Sequence, residues 1–418
     1  MVDTDVLVVG GGPAGSATAT FLARAGVGVT LLDRAHFPRA KPCAEYLSPQ
    51  AGRVLQALGA LEDTACDGVP LRGMEVRAPS GARIVGDYAA VRGHQPFQPY
   101  GLAISRLTFD ATLLGHARRA GVSVVEGERV IDILRDRNGR IAGVRSLGVD
   151  GAERTRTTQI VIGADGLRSV IARRAGLAQQ RVWPARLAFV AHYRGVRGVA
   201  ARGEMLVERD GYIGIAAVSG GDANVSLVVN RALVARARKA PSAIMDDWIA
   251  RHAHIAERFA HAQRIDDVQT TGPFAARARR AWSPGVALVG DAADFFDPFT
   301  GEGMYSALLG GEALAHFAAA ALRTDRDAAF RDYDRWRRAE FAAKWRVEWL
   351  IALAVARPWL LERAAVAFSR QPELGHKLIG VTGDFVPARE VLTAEYLRRL
   401  IVASMSLSGE RQRAGSEL

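Results

Sequence analysis

The order of apolar and polar residues in the first part of the chain predicts a strand, a helix and a second strand. Residues 5–9 form an apolar, β-branched run of strand length, and residues 16–25 are small and apolar, as in a helix that packs closely on a sheet. Residues 29–32 supply the second strand. Two strands joined by one helix form a βαβ unit, whose strands lie parallel in one sheet. The pattern therefore predicts an α/β fold that starts at the N-terminus.

The patterning of the later chain predicts more sheet and then helices. Residues 69–88 alternate in strand fashion around a Pro-Ser-Gly turn, which predicts a hairpin. Residues 181–275 are rich in predicted strands and contain one predicted helix at 243–258. From Asp327 onward the chain is helical and rich in arginine, and we expect a frayed tail after Ser408.

The turn after the first strand carries three spaced glycines, Gly10, Gly12 and Gly15. In the pattern G-x-G-x-x-G the first glycine allows a tight turn, the second lets a pyrophosphate approach the backbone, and the third lets helix and strand pack closely. The helix N-terminus offers free N–H groups to phosphates, and Asp33 lies where an acid accepts from ribose hydroxyls. The sequence predicts a nucleotide site without distinguishing NAD from FAD. The alternative is a glycine turn that packs a helix and binds nothing.

The length and composition exclude several classes of protein. At 418 residues the chain exceeds one ordinary core, so we expect two domains around one cleft. No run reaches the roughly 18 uncharged apolar residues that a membrane span needs. The first strand begins too early for a signal peptide, so we expect a cytoplasmic protein. The two cysteines, Cys43 and Cys66, are too few for a disulfide framework or a structural metal site, and no metal is expected.

The formal charge of +11 does not predict nucleic-acid binding, because the basic residues are spread along the chain and not gathered in tracts. Only four of the 55 basic residues are lysines. This bias is typical of the codon usage of a GC-rich bacterial genome. The alternative is attraction for anionic substrates or carrier proteins.

Two further apolar strands end in acidic turns, at Asp165 and at Asp291. The carboxyl ends of parallel strands are where the cofactors of doubly wound sheets bind, so both carboxylates are candidate cofactor ligands. Plain turn capping is the alternative for each. Gly301 and Gly303 then precede a predicted helix at 305–321, which makes another N-terminal site for an anion or a carbonyl group.

Three motifs now stand in order: the glycine turn with Asp33, the acidic turn at Asp165, and the acidic turn at Asp291 with the glycines that follow it. In this order and at this spacing, they resemble the FAD-dependent oxidoreductases of the para-hydroxybenzoate hydroxylase fold. That superfamily also contains flavin-dependent halogenases and geranylgeranyl reductases. The resemblance covers residues 1 to about 320 and implies FAD as the cofactor. The cofactor-binding residues that it implies are Gly10, Gly12, Pro13, Ala14, Gly15, Asp33, Arg34, Arg106, Asp165, Asp291, Gly301, Gly303 and Met304.

The resemblance implies that these residues contact successive parts of the FAD molecule. The glycine turn would hold the pyrophosphate, Asp33 the adenosine ribose, and Arg106 the diphosphate and ribityl region. Asp165 would lie near the junction of FAD and NAD(P)H, and Asp291 would bind the ribityl hydroxyls. The backbone of the last glycine pair would face the N1–C2=O edge of the flavin, where N–H groups stabilise the negative charge of the reduced form.

Two segments are most similar to the geranylgeranyl-reductase-like branch of this superfamily. Residues 41–49 read KPCAEYLSP and residues 297–304 read DPFTGEGM, against the branch forms KPCGExLSP and DPxTGEGI. The chain departs from the branch at Ala44, which replaces a glycine, and at 211–218, which keeps only the tyrosine of a YxWxFP substrate motif. None of the seven tryptophans stands in the W-x-W-x-I-P segment of the halogenases, so halogenation is not expected.

The resemblance implies an FAD-binding, Rossmann-like domain interleaved with a β-sheet substrate domain and followed by C-terminal helices. The expected regions are an FAD-binding domain (1–68, 100–180 and 276–325), a β-rich substrate domain (69–99 and 181–275) and a C-terminal helical region (326–418).

Two reactions fit these motifs, and monooxygenation is narrowly favoured. A flavin C4a-hydroperoxide would hydroxylate or epoxidise an apolar or aromatic secondary metabolite in a dry pocket. Because no second nucleotide motif follows a strand, NAD(P)H would be a transient reductant or would act through a separate reductase. The alternative is reduction of a C=C bond by hydride from flavin N5, with Cys43 as the first candidate proton donor and Tyr212 and Glu45 as the next. A thiol serves this role only if it is exposed to the cleft.

A third class, a flavoprotein without turnover, is disfavoured by the complete set of FAD motifs. The identity of the apolar or aromatic substrate, its attachment to a carrier, peripheral membrane contact and the oligomeric state stay open from the sequence.

Overall fold

The computed structural model describes residues 3–180, 183–324 and 326–405, so the predicted frayed tail after Ser408 lies outside the described residues. This part of the chain contains 22 β-strands and 13 α-helices. The strands are β1 (Thr4–Val9), β2 (Val29–Leu32), β3 (Tyr46–Leu47), β4 (Val69–Leu71), β5 (Gly73–Arg77), β6 (Arg83–Asp87), β7 (Gly101–Ala103), β8 (Ser123–Val125), β9 (Arg129–Arg135), β10 (Ile141–Leu147), β11 (Glu153–Gly163), β12 (Ala178–Gln180), β13 (Arg186–Arg194), β14 (Gly203–Glu208), β15 (Gly211–Ala217), β16 (Asp222–Asn230), β17 (Gln263–Arg264), β18 (Gln269–Thr271), β19 (Ala276–Ala278), β20 (Trp282–Ser283), β21 (Val286–Leu288) and β22 (Asp294–Phe295). The helices are α1 (Pro13–Arg24), α2 (Ala51–Ala57), α3 (Leu61–Asp67), α4 (Arg106–Arg119), α5 (Val170–Arg174), α6 (Arg231–Ala237), α7 (Pro241–Arg251), α8 (Ala253–Phe259), α9 (Gly303–Ala321), α10 (Arg326–Ala356), α11 (Pro358–Arg370), α12 (Pro372–Thr382) and α13 (Ala394–Met405).

The predicted βαβ unit forms the centre of an eight-stranded sheet. β1 pairs in parallel with β2 on one side and with β11 on the other, and β8 and β21 extend the parallel part. β9 and β10 add an antiparallel extension to β11. The central strands are apolar throughout because helices cover the sheet, and α1 packs against α9. The carboxyl ends of β1, β2, β11 and β21 therefore meet at one edge, and the α/β fold class is confirmed.

A second eight-stranded sheet has the order β17-β13-β16-β15-β14-β5-β6, with β18 on β13. β5 and β6 form the predicted hairpin, and β14 pairs with β5 in parallel. One face of this sheet packs on α7 through the buried Trp248. The prediction of a single helix at 243–258 is wrong, because His252 has extended backbone angles (φ −107°, ψ 91°) and separates α7 from α8.

The C-terminal helices pack on the β5–β6 hairpin of the second sheet. The apolar run at 349–355 lies within α10, which ends before Pro358, and that proline starts α11. None of the helices among the described residues has the length and apolar content needed to cross a membrane. Two three-stranded sheets, β3-β7-β4 and β12-β19-β22, complete the fold between the large sheets.

Candidate functional site

The three spaced glycines form the turn between β1 and α1, and different constraints act on them. Gly10 has φ +106°, and a Cβ there would lie 2.4 Å from the carbonyl oxygen of Ala164. A Cβ on Gly15 would lie 1.8 Å from the carbonyl oxygen of Gly10. A Cβ on Gly12 would have no protein atom other than its chain neighbours nearer than 3.6 Å. Close packing accounts for Gly10 and Gly15, and space for a ligand accounts for Gly12.

The N-terminus of α1 faces this space. The helix begins at Pro13, directly after Gly12, and no side chain caps it. Pro13 and Ala14 are buried, and both line a cavity. The free N–H groups of a first helical turn carry partial positive charge and bind phosphate groups. The turn therefore has the donors that a pyrophosphate requires.

A cavity of about 1030 Å³, here named the basic cavity, opens beside the turn. Its size suits a large cofactor. The basic side chains in its wall are Arg34, Arg39, Lys41, Arg129, Arg168, Arg173 and Arg174. Positive charge concentrated in a cleft attracts an anionic ligand, which fits the diphosphate half of a dinucleotide.

Asp33 lies in the wall of the basic cavity and is 8% exposed. Its Oδ2 atom accepts from the N–H of Gly11 at 2.7 Å, and its Oδ1 atom accepts from the N–H of Ala35 at 2.8 Å. These bonds brace the glycine turn. The assignment of Asp33 to the adenosine ribose stays a prediction, and so does cofactor binding by the adjacent, exposed Arg34.

Arg106 is buried at the start of α4 and is held by the carboxylate of Asp110. Its Nε and Nη2 atoms donate to the two carboxylate oxygens of Asp110 at 2.7 and 2.6 Å. Arg39 also reaches Asp110, with Nη2 3.0 Å from Oδ2. Burial lowers the pKa of Arg106, but Asp110 and the nearby Cys43 outweigh it and raise the pKa above its ordinary value. The guanidinium is therefore a fixed positive charge.

A second cavity of about 190 Å³, here named the apolar cavity, adjoins the basic cavity. Gly12, Lys41 and Leu167 line both, so the two spaces adjoin at these residues. The larger apolar side chains in the wall of the apolar cavity are Leu71, Met74, Val190, Met205, Phe274 and Phe299. A long ligand with a charged half and an apolar ring system fits this combined space.

Asp291 and the glycine loop line the apolar cavity. Asp291 follows β21, is half-buried and lines the apolar cavity. Gly301 has φ +71°, and a Cβ there would lie 2.7 Å from Cδ1 of Tyr46. No side chain caps α9, which begins at Gly303 and continues with the buried Met304. A second uncapped helix N-terminus therefore faces the cavity, as the implied role at a flavin edge requires.

Cys43 is half-buried, lines the apolar cavity and lies next to the Arg106 guanidinium. Its carbonyl oxygen accepts from Nδ2 of Asn224 at 3.0 Å, which ties the loop to β16. Lys41, two residues earlier, borders both cavities, and burial together with Arg106 lowers its pKa. The loop at 41–49 thus brings a thiol and an amine to the junction of the two cavities.

Tyr212 and Glu45, the other donor candidates, are both engaged by protein groups. The Tyr212 hydroxyl donates to Oδ1 of Asp297 at 2.9 Å, and burial together with Asp297 raises its pKa. Glu45 accepts from the N–H of Arg106 at 2.8 Å and pairs with His192. Tyr212 lines the apolar cavity, and its catalytic role stays a prediction.

Asp165 binds the backbone of α5. Its Oδ2 atom accepts from the N–H groups of Val170 at 2.6 Å and Ile171 at 3.3 Å, and burial raises its pKa. Turn capping, the alternative given by the sequence, is therefore present. Asp165 also lines the basic cavity, and its place at the junction of FAD and NAD(P)H stays a prediction.

Two features of the site were not predicted. Lys344 pairs with Glu302 and Asp384 in a buried cluster behind the glycine loop. A third cavity of about 170 Å³, here named the helical cavity, lies between the second sheet and helices α10–α13. The motif that contains Glu302 was recognised, but nothing in the residue spacing indicates its partners.

Comparison with known proteins identifies the cofactor of this site. Residues 3–346 match the family model of an FAD binding domain. The chain belongs to this family. The flavoprotein is 31% identical over 349 residues to digeranylgeranylglycerophospholipid reductase 2 of Methanopyrus kandleri, across 80% of this chain and 82% of that protein. The predicted superfamily and FAD as cofactor are confirmed, and the flavoprotein is an FAD-dependent oxidoreductase.

Solved structures show the same fold in proteins of different activity. A flavoprotein/dehydrogenase from Cytophaga hutchinsonii superposes with a TM-score of 0.83 at 22% identity, covering 97% of this chain and 99% of that one. The flavin-dependent brominase Bmp2 superposes with a TM-score of 0.81 at 21% identity, covering 98% and 99%. At this identity the likeness concerns the fold and leaves the reaction to be argued from the site.

Proposed function

We propose that the flavoprotein reduces a C=C bond of a long apolar substrate, with Cys43 as the proton donor. The position of Cys43 carries the proposal. A thiol in this loop is useful only when it reaches the cleft, and Cys43 lines the apolar cavity beside a fixed positive charge, Arg106.

FAD held at the glycine turn, once reduced by NAD(P)H or by a separate reductase, would supply a hydride to one carbon of the double bond. Cys43 gives its proton to the other carbon, so the product gains one hydrogen at each carbon. The thiolate that remains lies next to the Arg106 guanidinium. A proton from solvent then restores the thiol.

The helical cavity supports a long substrate. Met74, Met205 and Phe299 line both it and the apolar cavity, so the two cavities adjoin at these side chains. Leu350 and Leu397, which are 40% and 37% exposed, line the helical cavity at the surface. Apolar side chains therefore line neighbouring cavities from the surface to the glycine loop. The Methanopyrus kandleri relative acts, by its name, on a digeranylgeranylglycerophospholipid, and a substrate with comparable apolar chains fits these cavities.

Monooxygenation is the second candidate, and the aromatic residues of the apolar cavity favour it. Phe274 lies 5.3 Å from Phe295 between ring centroids, and Tyr212 lies 5.0 Å from Phe299. Such rings suit an aromatic substrate and exclude water from the reacting atoms.

Rapid mixing of the reduced holoprotein with geranylgeraniol, first without oxygen, separates the two candidates. The proposal expects flavin oxidation under anaerobic conditions and a product with two added hydrogen atoms. Flavin oxidation that occurs only after oxygen is admitted, with a product that carries labelled oxygen from O₂, would overturn the proposal in favour of monooxygenation.

A further inference from the structure

Glu302 belongs to the loop that faces the apolar cavity, but its side chain lies on the other side of that loop. Its neighbours Gly301 and Gly303 line the apolar cavity, whereas Glu302 lines a separate cavity of about 70 Å³, here named the polar cavity. Asp291 and Gly303 line both. Glu302, which is 4% exposed, therefore lines the polar cavity and not the apolar cavity in which the flavin edge is expected.

One lysine and two further acids surround this carboxyl group. Lys344 of α10 places its Nζ atom 3.1 Å from Oε2 of Glu302 and also pairs with Oδ1 of Asp384, whose side chain is fully buried. Glu348, one turn after Lys344 on α10, lines the same polar cavity. The Lys344 ammonium lies 4.8 Å from the ring centroid of Tyr305. Lys344 thus pairs with two of the three carboxyl groups, those of Glu302 and Asp384.

Other titratable groups act on the same cluster from the surrounding elements. They are Tyr46, Tyr88, Asp294, Asp297, Tyr305 and Glu340. Asp294 is itself paired with Arg337, with Nη2 3.4 Å from Oδ2. The hydroxyls of Tyr46 and Tyr88 are 2.5 Å apart, and burial raises the pKa of both. The tyrosines are therefore neutral, and the cluster can change charge only at its carboxyl groups.

Burial makes a full set of charges costly here. Unpaired carboxylates in a buried site bind protons because the charged form loses its hydration. Burial raises the pKa of Glu302 to about 8, with Lys344 acting against the shift and Asp384 adding to it. Burial also raises the pKa values of Glu348 and Asp384. A small change in the local potential is then enough to move a proton onto Glu302.

We propose that Glu302, at any pH that leaves it ionised in the oxidised protein, takes up a proton when the bound FAD is reduced and releases it when the FAD is oxidised again. Negative charge would develop at the N1–C2=O edge of the flavin on reduction, and Gly301 and Gly303 are the residues expected to face that edge. A carboxylate behind the same loop feels this charge and becomes easier to protonate. The proton comes from solvent through the polar cavity, which is large enough to hold water. The inference requires bound FAD and holds for either reaction proposed above.

The midpoint potential of the bound FAD, measured against pH, tests this inference. Below pH of about 8, Glu302 holds its proton in the oxidised protein, so wild type and Glu302→Gln should have the same slope. Above that pH the wild-type potential should fall more steeply, because reduction then takes up one more proton for each electron pair. Glu302→Gln should keep a single slope. Lys344→Gln removes the cation that lowers the pKa of Glu302. The pH at which the slope changes, here called the break, should therefore be higher in this variant than in wild type.

Glu395→Gln, in the exposed first turn of α13, is the matched control and should behave as wild type. The visible spectrum of bound flavin checks that each variant is folded. Equal slopes of wild type and Glu302→Gln above about pH 8 would overturn the proposal. Loss of the break in Glu348→Gln but not in Glu302→Gln would overturn it too, and would assign the proton to Glu348. If Glu302→Gln does not fold, the Lys344→Gln variant decides the question. A change of slope at the same pH in Lys344→Gln as in wild type would then overturn the proposal.

Discussion

The Nε2 atom of His192 lies 2.8 Å from Oε2 of Glu45. Glu45 belongs to the loop beside the apolar cavity, and His192 belongs to β13 of the second sheet. Nδ1 of the same imidazole lies 2.6 Å from Oδ2 of Asp266. The pair thus ties the cofactor-side loop to the sheet that forms the opposite wall, and the hydrogen bond to Glu45, followed by Asp266, raises the pKa of His192 to about 9.

This pKa predicts that stability depends on pH. The pKa of His192 is higher in the folded protein than its ordinary value of 6.5. The stabilisation is therefore fully present below about pH 6.5 and is lost as the pH rises through about 9. His192→Gln should be less stable than wild type by about 2 kcal/mol at low pH, and the difference should shrink above pH 9. Thermal unfolding at several pH values measures it.

The exposed His261 provides the control, because its substitution by Gln should leave the pH profile unchanged. A stability gap between wild type and His192→Gln that is the same at low and high pH would contradict the charged pair.

Gly12→Ala should weaken FAD binding, whereas Gly15→Ala should lower the thermal stability of the protein. A Cβ at position 12 meets no protein atom closer than 3.6 Å, so the protein should fold as well as wild type but bind FAD at least about tenfold more weakly. A Cβ at position 15 overlaps the carbonyl oxygen of Gly10, so this variant should melt at a lower temperature. Flavin content after dialysis and melting of the apoprotein separate the two effects. A Gly12→Ala protein that keeps its full flavin content would refute the pyrophosphate assignment.

Cys43→Ser should slow C=C reduction by about 100-fold or more, since a poorly acidic hydroxyl replaces the proton donor. Reduction of the flavin by NAD(P)H should stay at the wild-type rate, because that step does not use the thiol. Single-turnover mixing measures both steps. Cys66→Ser, at an exposed free cysteine, is the matched control and should keep both rates. Undiminished C=C reduction in Cys43→Ser would eliminate this thiol as the donor.

Ala364→Phe should restrict the protein to substrates with shorter apolar chains. Ala364 of α11 lines the helical cavity, and a phenyl ring there would occupy the space for a chain end. We expect the KM for geranylgeraniol to rise about tenfold, whereas a short isoprenoid alcohol should react as with wild type. Ala253→Phe, at the exposed start of α8, controls for the added ring. Equal effects on long and short alcohols would show that chains do not enter this cavity.

Sequence reasoning succeeded where position along the chain determines position in space. Asp165 and Asp291 each follow a strand, and those strands pair in parallel, so both carboxylates reach one sheet edge. It failed where contacts depend on how separate elements pack. Lys344, Glu302 and Asp384 come from a helix, a helix start and a loop that no residue spacing relates. The break at His252 was missed for a similar reason, since residues 243–258 keep helical composition on both sides of it.

The strands of the parallel sheet lie far apart in the sequence, so the sheet can be completed only after most of the chain has been synthesised. β1 (Thr4–Val9) is synthesised first, but β21, which completes the parallel sheet beyond β11, ends only at Leu288. At about 5–20 residues per second, a ribosome needs roughly 15 to 60 seconds to span that interval. Asp33 and Asp291 emerge near its two ends. A nascent chain can therefore complete its predicted cofactor site only late in translation. Fragments whose synthesis stops earlier should contain no bound flavin.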